Sequence, residues 1–191
     1  MGSVERIAPR RSRREATTRA GGGAPVSIPT WSFLDAVNHV EWAGGFYGSV
    51  TASAITIPYQ HQNQVRYVYD GSSRTYARYQ FDPNLGRDVR EVDAYYNTAI
   101  AARNIIVVYT DVVTTAIVED NLGSLGVNIR TTGSGRVSIF RDGRRQDGTW
   151  TRKGVLDMFS FSNQAGEPIL LSPGQTWIHF SYPGWSVTSA P

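Results

Sequence analysis

The sequence predicts an α+β, β-rich domain: mostly antiparallel sheets packed as layers, with one or two short helices. Three observations carry this. From about residue 52 onward, apolar and polar side chains alternate in short runs closed by Gly, Pro, Asn, Asp and Ser, the pattern of half-buried strands. One run, residues 105–109 within NIIVVYTDVV, is apolar throughout and mostly β-branched, as a strand covered on both faces requires. The chain has 191 residues, 40% hydrophobic and 12% aromatic, enough for one domain with a surplus but not for two full ones.

Along the chain, residues 1–25 have no apolar period and end in a Gly-Gly-Gly-Ala-Pro run, so they read as a disordered arm and linker. Residues 26–51 form a connecting segment, with a weakly signalled short helix over 32–42. The globular domain spans 52–185. Its first strands are SAITIPY, with Ile55, Ile57 and Tyr59 alternating, and QVRYVYD, with Val65, Tyr67 and Tyr69 alternating. An Asp-Gly-Ser-Ser turn leads into RTYARYQF. YYNTAIAAR, residues 95–103, is the best remaining helical stretch. Residues 104–113 belong near the sheet centre, and GVNIRTT, RVSIFR, RRQDGTWTR, PILLS and QTWIHFS supply the later strands.

Charge is unevenly placed. Eighteen of the 19 basic residues are arginine, and Lys153 is the lone lysine. Residues 1–25 carry six arginines against Glu5 and Glu15, a net +4; the whole chain is +3, so the remainder is −1. The basic character therefore belongs to the arm. The absence of cysteine removes disulfides, thiolate metal sites and a cysteine nucleophile. No run has the length of a membrane helix, and no apolar segment follows the early arginines as a signal peptide would require.

GSGRVSIFRDGRRQDGTW, residues 133–150, is rich in glycine and arginine. Asp142 and Gly143 stand between two alternating runs, which is a hairpin signal because both central residues of a type I′ turn need positive φ. A phosphate-cradling loop leads instead from a strand into a helix and carries Gly-Lys-Ser/Thr, which is missing here. Arg136, Arg141, Arg144, Arg145 and Arg152 then form either a basic face or a charged strand edge that discourages pairing.

These residues resemble a known family. The Gly-Ser-Gly element at 133–135, the hairpin ending in Thr149 and Trp150, and the closing Ser-Pro-Gly-Gln-Thr-Trp-Ile segment at 172–178 look like the end of the YerB-like lipoproteins of bacteria. ITIPY, VRYVYDGSSRTYAR and AARNIIVVYTDV are similar to the same family, and the resemblance spans about residues 52–182. It implies the carboxy-terminal domain of an extracytoplasmic, membrane-associated protein held by a lipidated cysteine, with no settled activity. This chain departs from that pattern in having no amino-terminal domain, signal or lipobox, and in FSFSNQAG at 159–166, where the family often has an acidic turn.

No residue set names a reaction, a cofactor or a metal. His39, His61 and His179 show no metal-ligand spacing, and His179 reads as an ordinary strand histidine. Asp82, Asn84, Gly86 and Asp88, followed by Glu91 and Asp93, alternate oxygen ligands, but with glycine one place early and no bidentate glutamate they read as a solvated acidic loop. Tyr67, Tyr69, Tyr76 and Tyr79 make either a stacking platform or cross-strand pairs that hold the sheet. The ligand-binding candidates are Tyr67, Tyr69, Arg136, Arg144, Trp150 and Trp177. The expected function is a non-catalytic binding or scaffold domain of a cell-envelope protein, with a protein or cell-wall component as partner. The alternatives are a capsid-like domain that binds nucleic acid through the 1–25 arm, and a carboxylate-dependent enzyme acting on glycans.

Overall fold

The computed structural model describes residues 46, 48–60 and 63–191. The 1–25 arm and the helix expected over 32–42 lie outside the described residues. The described residues form β1 (Val50–Thr51), β2 (Ala54–Gln60), β3 (Asn63–Asp70), β4 (Thr75–Asp82), β5 (Arg87–Arg90), β6 (Val92–Asp93), β7 (Thr98–Ala99) and β8 (Ala101–Ala102). They continue as β9 (Asn104–Tyr109), β10 (Val112–Val118), β11 (Leu125–Ile129), β12 (Gly133–Arg141), β13 (Arg144–Arg152), β14 (Ser160–Ser162), β15 (Thr176–Ser181) and β16 (Thr188–Ala190).

One sheet runs β1-β13-β12-β9-β15, with β14 added beside β13; the other runs β16-β2-β3-β4-β5, with β8 added beside β4. Pairing is antiparallel throughout except between β9 and β15, which are parallel. That exception follows from the long stretch between β9 and β15, which gives the chain room to cross over.

The uniform apolar run of β9 is explained by its position. All six residues are buried. Ile105, Val107 and Tyr109 face the second sheet and pack with Ile55, Ile57, Val65, Tyr67 and Tyr76. Ile106 and Val108 point the other way, into a second cluster with Val137, Ile139, Trp150, Phe161 and Leu171. The first sheet is thus covered on both faces, and β9 lies inside it between β12 and β15.

The hairpin expected at Asp142 and Gly143 is present, with φ of 51° and 70°, and Arg141 opposite Arg144. Gly133, Ser134 and Gly135 open β12. Gly135 sits opposite Trp150, whose indole N–H donates to the Tyr109 carbonyl at 3.0 Å. A Cβ on Gly135 would stand 2.7 Å from that indole nitrogen, so the close approach itself requires glycine.

The α+β expectation is corrected: the described residues contain no helix. Residues 95–103 instead close the β6–β7 hairpin and add β8 to the second sheet. Two local interactions outcompete the helix. The Asp93 carboxylate accepts from the backbone N–H of Tyr95 and Tyr96, an Asx turn, and Asn97 adopts a left-handed φ of 51°. Ala101 and Ala102 then pair with Ala77 and Tyr76, so tertiary pairing overrides alanine's helical preference. PILLS has Ile169 and Leu171 buried and forms no continuous strand: Pro168 bridges to Ser162, the Ile169 N–H donates to the Phe161 carbonyl at 2.9 Å, and Leu171 holds a further bridge position.

Candidate functional site

β15 is the edge strand beside β9, and its odd-numbered side chains face the second sheet. Trp177 lies opposite Ile105 and His179 opposite Val107, so both enter the space between the layers. From the other sheet, β2 brings Tyr59, β3 brings Tyr67 and β4 brings Arg78. Tyr67 is cross-strand from Arg78, so alternation puts both on the inner face.

The imidazole of His179 is held from both sides. Tyr59 Oη lies 2.5 Å from Nδ1 and Tyr67 Oη 2.8 Å from Nε2. A neutral imidazole has one N–H and one lone pair, so one tyrosine donates to the ring and the other accepts from it. Burial, with the Arg78 charge acting in the same direction, lowers the His179 pKa to about 4. Burial pushes Tyr59 up to about 12, against the Arg78 charge, and raises Tyr67 in the same way. At neutral pH the trio is uncharged and fully hydrogen-bonded at the ring.

Around it lies a shell of aromatic and charged groups. Trp177 stacks on the imidazole with centroids 6.2 Å apart, and the Arg78 guanidinium covers the Trp177 ring at 4.6 Å. Arg78 is ion-paired with Glu91, while its buried Nε has no hydrogen-bond partner among the described residues. Trp185 meets Tyr59 edge to face at 5.9 Å and is 37% exposed. The polar heart is closed, and the outer rings are open to solvent on one side.

A second polar cluster lies under the β12–β13 turn. Asp142 accepts from Arg74 at 2.9 Å, from Arg141 at 3.1 Å and from Ser172 Oγ at 2.9 Å. Burial opposes its ionisation, but these hydrogen bonds and the two guanidinium charges prevail and lower its pKa. Burial also lowers Arg141 to about 10. Asn104 joins this cluster through both the N–H and the carbonyl of Ser172. The Arg74 and Ser172 contacts tie the turn to the body, which is a structural arrangement.

Of the candidates read from sequence, the fold brings Tyr67 and Trp177 together at His179. The other four are elsewhere. Tyr69 packs on Tyr76 with centroids 5.1 Å apart. Trp150 is fully buried in the cluster on the far face of the first sheet. Arg136 lies over the Tyr109 ring at 3.9 Å, and Arg144 clamps Ser49 through its hydroxyl and carbonyl oxygens. The acidic loop is an Asx turn, Asp82 accepting from the N–H of Asn84 and Leu85. Asp88 pairs with Arg66 and Glu91 with Arg78. No group of three or more metal-ligating side chains occurs among the described residues, and no helix there is long and apolar enough to cross a membrane. The arm proposed for nucleic acid, His39 and His61 lie outside the described residues.

Sequence reading missed His179, Tyr59, Arg78 and Trp185 as one group. The available signal was the period-2 placement of Tyr76 and Arg78 in RTYARYQF, which puts the arginine on the buried face. Nothing in the sequence says which strand lies opposite.

Residues 55–178 match the family described as the C-terminal domain of the protein of unknown function DUF3048. Among solved structures the chain is similar to the YerB protein from Bacillus subtilis, at 20% sequence identity and a TM-score of 0.51. That match covers 73% of this chain and 45% of the YerB chain, so this chain spans less than half the length of the structure it matches. At that identity the likeness concerns the fold. No curated protein matches. The family match runs from β2 into β15 and takes in the Gly-Ser-Gly element, the Thr149–Trp150 hairpin end and the segment closing at Ile178; the chain belongs to the YerB-like family of unknown function, as its DUF3048 C-terminal domain.

Proposed function

We propose that this domain is a non-catalytic binding module of an extracytoplasmic cell-envelope protein, and that it takes a cell-wall glycan across the aromatic end formed by Trp185, Tyr59 and Trp177. The observation that carries this is the construction of the His179 cluster. Both ring nitrogens are already hydrogen-bonded and the imidazole is neutral, so the group works as a rigid support rather than as a proton carrier. The support holds partly exposed aromatic rings next to an arginine–carboxylate pair. Sugars present apolar C–H faces to aromatic rings and hydroxyls to such pairs, and sites of this type combine flat apolar area with a few fixed polar groups. The membrane-associated localisation rests on the family alone.

The test is co-sedimentation of the protein with purified, insoluble bacterial cell walls. The wild type is expected to pellet with the walls. Trp185→Ala, at an exposed ring that meets Tyr59 edge to face, is expected to stay in the supernatant. Tyr95→Ala, on the β6–β7 turn, serves as the control and is expected to pellet. Failure of the wild type to pellet, or equal pelleting of Trp185→Ala, overturns the reading.

A further inference from the structure

β10 and β11 form a two-stranded sheet of their own, joined to neither of the large sheets. A two-stranded ribbon in water is marginally stable by itself. This one also carries an apolar face. Val112 pairs with Ile129, Thr114 with Val127 and Val118 with Leu125, and paired residues point to the same side. Val118 and Val127 are each 59% exposed, and Leu125 is exposed beside them. Two extra residues of β10 between Thr114 and Val118 bulge the strand, which blunts that edge against pairing with further strands. The apolar face, rather than the edge, is what remains to be covered.

The charges around the ribbon select the occupant. Its tip carries Glu119 and Asp120 and no cation, which disfavours an anionic membrane surface or a nucleic acid. Its root carries Arg130, paired to Asp111 at 3.0 Å, and beside it Arg136 of β12, whose guanidinium lies 3.9 Å over the ring of Tyr109, two residues ahead of Asp111. Tip and root are therefore opposite in sign. Two copies laid face to face about a two-fold axis would set each acidic tip against the other's basic root, with the valine faces between. That is the self-complementary pattern an isologous interface needs.

We propose that the β10–β11 ribbon is a homodimer interface, formed by two copies of this chain packing Val118, Leu125 and Val127 face to face in antiparallel orientation. This goes beyond the glycan reading and does not depend on it.

Sedimentation equilibrium of the full chain across the micromolar range tests it. The wild type is expected to dimerise, and the Val118→Lys/Val127→Lys double variant to be monomeric while keeping its far-ultraviolet circular dichroism and urea midpoint. Glu119→Arg and Arg136→Glu are each expected to weaken dimerisation about tenfold, equivalent to about 1.4 kcal/mol. Their equimolar mixture is expected to restore it, because the mixed dimer regains both tip-to-root contacts. A wild type that stays monomeric overturns the proposal, and is the result expected if residues 1–45 or a different protein cover the ribbon. A dimer that survives the double valine replacement, or charge reversals that do not rescue each other, overturns it as well.

Discussion

Acid destabilises this fold through His179. In the unfolded chain His179 titrates near its ordinary value of 6.5; in the folded protein burial, helped by the Arg78 charge, holds it at about 4. Between those values the unfolded state binds a proton that the folded state refuses. Stability therefore rises with pH through this window and falls on acidification from about 6.5 toward 4, below which both states are protonated and no more is lost. The difference of about 2.5 pKa units corresponds to roughly 3 kcal/mol in full. Between about pH 7.5 and pH 4.5 the loss is about 2.5 kcal/mol, a large share of the stability of an ordinary domain. Tyr59 and Tyr67, which burial pushes upward, and Asp142, which is held below the usual carboxylate range, do not titrate there.

Urea unfolding of the wild type and of His179→Gln at both pH values isolates the effect. His39, His61 and the surface carboxylates are common to both proteins and cancel in the comparison. The variant is expected to be less stable at neutral pH, having lost a ring held on both sides, but to lose about 2.5 kcal/mol less than the wild type on acidification. Parallel losses in the two proteins would refute the argument, because they would mean that the imidazole accepts a proton in place.

Two other replacements test the packing. Asp142→Ala removes the carboxylate that Arg74, Arg141 and Ser172 share, leaving the Arg141 charge buried without it; the expected cost in urea unfolding is about 3–5 kcal/mol, against little change for Asp111→Ala, whose side chain is 57% exposed. Gly135→Ala drives a methyl group against both partners of the Trp150–Tyr109 hydrogen bond and is expected to cost about 1–3 kcal/mol by the same measurement, with Ser134→Ala next to it near neutral.

What the sequence disclosed follows the range of the forces involved. Period-2 alternation reports local geometry and burial together, so ITIPY, QVRYVYD and RVSIFR announced their strands. The unbroken run at 105–109 announced a strand with two covered faces. The Asp-Gly turn was readable because only a few residues tolerate left-handed φ. The same reasoning failed at 95–103, where the helical signal came from alanines whose conformation was decided by pairing with β4. There the Asp93 turn, a side-chain contact to backbone two and three residues on, was a better guide than composition. At PILLS the strand expectation met a Pro168–Ser162 bridge and a hydrogen bond from the Ile169 N–H to the Phe161 carbonyl, so the segment is fastened to β14 without forming a continuous ladder.

The candidate site was hidden for a different reason. Its members come from β2, β3, β4 and β15, and residues 59 and 179 are brought together by stacking of two sheets, an event that leaves no periodic trace. His179 on an edge strand looks like any polar residue facing water. It is buried only because Tyr59 and Tyr67 reach across from the facing layer and satisfy both nitrogens, replacing the water that an edge position would otherwise supply. A buried imidazole with one nitrogen unmet would carry the desolvation cost of that group, and the edge would open. Two tyrosines on strands that pair with each other, each facing inward, are thus the condition for a histidine here. Tyr67→Phe should therefore expose the edge strand more than Tyr69→Phe does, because Tyr69 packs on Tyr76 and makes no contact with the ring. Hydrogen exchange along β15 decides it, and equal protection in the two variants would show that the sheets alone hold the edge closed.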